Sequence, residues 1–150
     1  MTEASGDTTN YNSPAGKIIS FRGATFTKAE RLCSKKIIAS LFTAGQSFSI
    51  PPFRCVYLKT ELPSDFPVQI TISVPKKYFP RAVDRNHIRR MVREVYRNNK
   101  NELYQHLAGK NIQVAAMIIY TAKTITTFNE VENKIKITLK RLIREYDVVA

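Results

Sequence analysis

Between Ile72 and Lys100 the chain carries Lys76, Lys77, Arg81, Arg85, Arg89, Arg90, Arg93, Arg97 and Lys100, with only Asp84 and Glu94 as acids. On a helix, Arg85, Arg89, Arg93 and Arg97 follow one i+4 row with Asn86 and Arg90 beside it, so guanidinium groups crowd one side. Like charges in such a row repel, and only Glu94 lies nearby to relieve them. A polyanion offsets that repulsion, because each phosphate met by an Arg accepts a bidentate hydrogen bond and releases condensed counterions. A helix face that only conferred solubility would usually mix Glu with Lys.

Other chemistry is harder to assemble. There is no Gly-rich phosphate loop, no histidine pair at ligand spacing and no nucleophile elbow. His87 and His106 stand nineteen positions apart. His87, inside the basic segment, suits a nucleic-acid contact or a solvated ring better than a general base. Acids are scarce in the central region, which argues against a protein-held pair of Mg²⁺ ions, and no catalytic or metal-binding set is assigned. Phe53 and Tyr57 fall on one side of a predicted strand; they could stack unpaired bases or fill the core, and aromatics at alternate strand positions more often do the latter.

These groups need a scaffold. At 150 residues and 43% hydrophobic the chain can bury one core, and one domain after a tail is expected. The formal charge of +12 favours nucleic acid or an anionic surface as partner. No run of about 18 apolar residues exists to span a bilayer, and no secretory signal is visible, so a cytoplasmic location is expected. Cys33 and Cys55 show neither metal-ligand spacing nor a disulfide framework and are expected to be buried thiols.

Residues 1–25 lack periodicity and their charges cancel, which predicts a disordered tail. Thr27 and Glu30 fit a capping box, predicting a first helix from about Lys28 to Ala44 with a stop at Gly45. After Pro51-Pro52, Phe53 to Leu58 suits a strand, and Val68 to Val74 alternates as a half-buried one; antiparallel pairing of these two neighbours is the economical topology. Ile88, Met91, Val92, Val95 and Tyr96 form one apolar stripe beneath the basic helix. Glu102 to Leu107 continues that helix or adds a short turn. Ile112 to Tyr120 is apolar enough for an interior strand, and a second capping box at Thr127 and Glu130 opens a last amphipathic helix. The order gives an α+β, two-layer sandwich: a small mixed sheet of about four strands covered by three helices.

The run Ser73-Val-Pro-Lys-Lys, followed by Arg81-Ala-Val-Asp-Arg-Asn-His-Ile-Arg-Arg-Met-Val-Arg-Glu-Val-Tyr-Arg, closely resembles the signature of the bacterial ribonuclease P protein subunit. In that family a Ser-Val-Ser-Lys-Lys strand end leads into Ala-Val-x-Arg-Asn-Arg-Ile-Lys-Arg and an Arg-Glu-x-Tyr-Arg continuation. Arg31 to Gly45 and Val114 to Tyr120 extend the likeness to about Thr27–Tyr146. Here His87 replaces the second Arg of the Arg-Asn-Arg core and Pro75 a small polar residue, and His lacks the bidentate fork of Arg.

The resemblance implies a ribosomal-protein-S5-domain-2-like fold over residues 26–150. It further implies a monomer within a ribonucleoprotein that binds a catalytic RNA through Lys76, Lys77, Arg81, Arg85, Asn86, His87, Arg89, Arg90, Arg93 and Arg97. That RNA, with Mg²⁺ held by RNA and substrate, would hydrolyse the bond freeing the 5′ leader of precursor tRNA. The family grips the leader in a cleft between its first helix and the sheet, which would give Phe42, Phe53 and Tyr57 a role. The competing readings are a structural RNA-binding protein such as a ribosomal component and, ranked below it, a DNA-binding regulator.

Overall fold

The computed structural model describes residues 8–12, 18–22 and 26–147. In chain order they form β1 (Thr8–Asn12), β2 (Ile18–Arg22), a 3-10 turn (Lys28–Glu30), α1 (Lys35–Ala44), β3 (Gln46–Ile50), β4 (Phe53–Lys59), β5 (Val68–Ser73), α2 (Ala82–Asn99), α3 (Asn101–Gly109), β6 (Val114–Tyr120) and α4 (Phe128–Asp147).

The most apolar strand takes the centre. β6 is buried along nearly its whole length, and the sheet is ordered β3-β4-β6-β5. β4 runs antiparallel to β6 from Phe53 opposite Tyr120 to Lys59 opposite Val114, and β5 runs parallel to it from Val68 opposite Val114. The predicted antiparallel pairing of β4 with β5 is therefore overturned: both pair with β6, and the α2–α3 crossover supplies the long connection a parallel pair needs. β3 has no counterpart among the strands that the sequence predicts. Gln46-Ser-Phe-Ser-Ile alternates polar with apolar residues, burying Phe48 against the core, but its polar members and the following prolines concealed it. β3 and β4 form a hairpin across the cis Pro51–Pro52 bond.

Helices lie on both faces. Leu41, Ile37 and Ile38 of α1 pack with Val56 and Leu58 of β4 and with Ala115 and Met117 of β6. On the opposite face Phe53, Cys55 and Tyr57 meet Ile88, Val92, Val95 and Tyr96 of α2 and Val131, Ile135 and Leu139 of α4. The α+β class and the four-stranded mixed sheet are as the sequence indicated, but the described residues form four helices rather than three, and α1 lies on the face opposite the others, so helices cover both sides of the sheet instead of forming two layers. The five stripe residues of α2 are all buried.

The first helix is shorter than its sequence suggests. Thr27 and Glu30 do interact, with the Thr27 N–H and hydroxyl donating to Glu30 Oε2 at 2.7 and 3.1 Å, but they close only the 3-10 turn. Arg31 then bridges Ile70 in parallel and the Leu32 N–H donates to the Ile70 carbonyl at 2.8 Å, so the edge of β5 draws this segment out of helix. α1 restarts at Ser34, whose hydroxyl accepts from the Ile37 N–H. Cys55 is buried, but Cys33 lies in this extended segment and is exposed, which corrects the expectation of two buried thiols.

The tail prediction falls mainly outside the described residues; those described, β1 and β2, pair antiparallel from Thr8 opposite Arg22 to Asn12 opposite Ile18. Their Thr, Ile, Tyr and Phe content suits strands, a signal hidden by the mixed composition around it.

Gly45, just past α1, is needed for space. A Cβ there would stand 2.4 Å from the Leu41 carbonyl oxygen and 3.2 Å from that of Tyr57, both backbone atoms. Gly45→Ala is expected to lower stability by about 1–3 kcal/mol in chemical denaturation, as overpacking does.

Candidate nucleic-acid interface

The basic segment begins in the turn between β5 and α2. The N–H groups of Tyr78 and Phe79 donate to the Pro75 carbonyl, and Phe79 anchors the turn in the core. Lys76 and Lys77 are left exposed on it. Tyr78 is half-buried, with Lys77 Nζ 5.7 Å and Lys123 Nζ 5.5 Å from its ring centroid. Lys123, beyond β6, joins this basic group although nothing near it in sequence suggested so.

The first two arginines of the helix partly serve the protein. Arg81 grips Asp84 through Nε and a terminal nitrogen at 3.0 and 3.2 Å. Arg85 donates from Nη1 to the carbonyls of Phe79 and Pro80, both at 2.9 Å, and so fixes the turn that carries the lysines. Asn86 and His87 are exposed on the first turns, and Asn86 accepts from Arg89 at 2.9 Å. Arg97 is held by Glu94, whose carboxyl is kept below its usual range mainly by that hydrogen bond.

The side chains of Arg90 and Arg93 have no hydrogen bond or ion pair among the described residues. Nor has the side chain of Arg31, a residue to which the sequence assigns no role in the site. A continuous first helix would have hidden its role; the extended bridge to Ile70 instead brings it opposite α2. Arg31 and Arg93 line a groove of about 340 Å³ with Phe26, Arg90, Glu94 and Arg97. Burial, followed by the charges of Arg31, Arg89 and Arg90, pushes the Arg93 pKa down, the signature of converging cations. The arrangement can bind phosphate: rigid, permanently charged forks with little internal neutralisation.

Lys100 is different. Although it ends the basic run, it is fully buried and paired with Glu30, and Tyr104 donates to the same carboxylate oxygen at 2.9 Å. Tyr96 and Tyr104 hydroxyls lie 3.0 Å apart beside it. Lys100 thus separates α2 from α3 and holds the N-terminal segment against their junction.

The three aromatic candidates do not come together. Phe42 is 65% exposed on α1, whereas Phe53 and Tyr57 are 1% and 5% exposed on the sheet face turned towards α4. Phe53 packs against Tyr120 with centroids 5.5 Å apart, and the Tyr57 hydroxyl donates to Glu145 at 2.8 Å. Phe53 and Tyr57 thus fill the core, the commoner of the two outcomes the alternation allows, and the leader-binding role implied by the resemblance does not fit their burial: the β4 side chains that pack with α1 are Val56 and Leu58.

Among the described residues no cluster of three His, Cys, Asp or Glu could hold a metal ion, and no helix is long and apolar enough to cross a membrane.

Comparison with known proteins agrees with this geometry. Residues 26–143 match the family model described as Ribonuclease P. The ribonuclease P protein component of Porphyromonas gingivalis is 35% identical over 122 residues, covering 79% of this chain and 88% of that protein. The corresponding component of Chlorobium phaeobacteroides is 33% identical over 118 residues, covering 72% and 81%. Among solved structures, the RNase P protein from Thermotoga maritima superposes with a TM-score of 0.60 at 25% identity, covering 75% of this chain and 96% of that one. The Staphylococcus aureus RNase P protein gives 0.61 at 24% identity, covering 77% and 96%. With a family model matched across the whole packed domain, including the arginine helix and the sheet that supports it, this chain belongs to the ribonuclease P protein family.

Proposed function

We propose that the chain binds the catalytic RNA of ribonuclease P through the Lys76–Arg93 surface and helps that RNA hold precursor tRNA while the 5′ leader is removed. As a family member it is the protein subunit of an endoribonuclease. The observation that carries the site assignment is the convergence of Arg31, Arg89, Arg90 and Arg93 on one groove whose only acid among the described residues, Glu94, is already paired with Arg97, which favours a polyanion. Arg85 and Arg81 set the geometry of the turn and first helical residues, Lys76 and Lys77 extend the positive surface, and Asn86 and His87 offer polar contacts at its end.

Phosphodiester hydrolysis is assigned to the RNA, with Mg²⁺ held by RNA and substrate. In this reading the protein's cations neutralise crowded phosphates, so fewer divalent ions are needed for RNA and substrate to come together. Exposed Phe42 on α1 is the aromatic best placed to meet the leader, and Phe53 and Tyr57 support the sheet from behind. The particle is taken to act in the cytoplasm with one copy of this chain.

Reconstitution tests the proposal. Adding the protein to a bacterial ribonuclease P RNA should lower the Mg²⁺ required for cleavage and improve turnover of precursor tRNA bearing a leader. An unchanged Mg²⁺ dependence on addition of folded protein would overturn it.

A further inference from the structure

The groove beside α2 has a second compartment of different chemistry. Phe26, Arg31 and Arg93 border both compartments, but the second, of about 180 Å³, adds Leu32, Cys33, Ile70, Thr71, Ile72 and Arg89. The first is walled by guanidinium groups; the second has an apolar floor, with Leu32 and Ile70 almost fully buried and Ile72 half-buried beside them. At roughly 30 Å³ per water it has room for about six waters, more than a lone anion requires.

This second compartment opens along the free edge of the sheet. β5 is the outermost strand, and the Ile70 carbonyl points outward to accept from Leu32. Ile72, two residues on, presents its backbone N–H and C=O in the same outward direction, and neither has a partner there among the described residues. An unpaired strand edge is a donor and an acceptor in fixed alternation. The compartment therefore combines apolar walls, one free amide, one free carbonyl, the Thr71 hydroxyl and, at its mouth, the Arg31 and Arg93 cations.

We propose that this cleft captures one unpaired nucleotide of the RNA partner, with its phosphate between Arg31 and Arg93 and its base against Ile72, hydrogen-bonded to the Ile72 backbone. An inorganic anion would use the guanidinium groups and leave the apolar floor and strand edge unengaged. A base-paired duplex presents its phosphates outward and cannot enter a recess of this size. Unpaired nucleotides do offer a face, a hydrogen-bonding edge and a phosphate together. The identity of the macromolecule rests on the function proposed above; the nucleotide specificity of the cleft rests on its own walls.

Cys33 lines the compartment and is exposed, whereas burial pushes the Cys55 thiol up to about 12, so maleimide labelling of the intact protein reports on Cys33. Adenosine or uridine 5′-monophosphate should slow that labelling several-fold in a saturable manner. Inorganic phosphate at equal ionic strength should leave it nearly unchanged. Arg31→Gln and, independently, Arg93→Gln should remove the nucleotide's protection while Cys33 still labels at the unprotected rate. Equal protection by phosphate, no protection by either nucleotide, or protection that survives both substitutions would overturn the proposal. Because the probe is a mononucleotide, protection in a protein that fails to stimulate cleavage would sink the proposed function and keep the cleft; stimulation without protection would do the reverse.

Discussion

Glu30→Gln is expected to lower the unfolding free energy by about 3–5 kcal/mol, the usual cost of leaving one member of a buried ion pair without its partner. Both side chains are fully shielded from solvent, and the pair lies where the N-terminal segment meets the start of α3. Glutamine keeps the shape and one acceptor oxygen for the Tyr104 hydroxyl, but its NH2 group replaces the Oε2 that accepts from Thr27, so the lost charge and a lost acceptor both contribute. Urea denaturation measures the loss, which is a large part of the roughly 5–15 kcal/mol typical of a domain. Adding Lys100→Met should restore much of it, because a neutral pair needs no compensation.

The deficit should also depend on pH. Burial lowers the Lys100 pKa while the Glu30 hydrogen bond opposes that shift, so removing the carboxylate lowers it further. A lysine with a depressed folded-state pKa costs stability below its unfolded pKa and nothing above it. The gap between variant and native protein should therefore narrow as pH rises from neutrality towards the ordinary lysine range. A gap that widens on that path would contradict the buried-charge account.

The second large effect separates the two faces of α2. Arg89→Ala with Arg93→Ala should weaken binding to ribonuclease P RNA and make the salt dependence shallower by up to about two units, at roughly 0.9 per lost phosphate contact, while the melting curve stays close to native. Ile88→Asp or Val92→Asp should instead abolish folding, since both positions are fully buried and no partner stands by for a carboxylate. Filter binding across a salt series, with circular dichroism on the same samples, gives both readouts. Loss of structure in the arginine variant would show that the row serves the fold.

Much of this division was legible in the sequence because both signals are periodic. A 3.6-residue stripe fixed which residues of α2 are buried, and the arginines between them had to be outside. Alternation in β4 likewise grouped Phe53, Cys55 and Tyr57 correctly, but periodicity states that two faces differ without saying what covers each. With helices on both sides of the sheet, the aromatic set went to the α4 side. The structural roles of Arg31, Glu30 and Lys100 are not legible in the sequence for another reason. Their roles come from contacts across tens of residues, and local cues argued otherwise: the capping box called for a long helix, and the basic run made Lys100 look like one more surface cation. Strand order was lost similarly, since β4 and β5 are neighbours in sequence and separated by β6 in space.

The pairing of Glu30 with Lys100 has a consequence for biosynthesis. The residue that neutralises the α2–α3 junction leaves the ribosome seventy positions ahead of the lysine that needs it, and β6, on which β4 and β5 both depend, follows later still. Contacts of such long sequence separation form slowly because the intervening loop must close first. The Arg31–Arg93 cleft is built from the same two distant segments, so a nascent chain would acquire its nucleotide recess only when the domain is nearly complete. Once formed, any RNA that binds the folded state alone draws the folding equilibrium towards it by mass action.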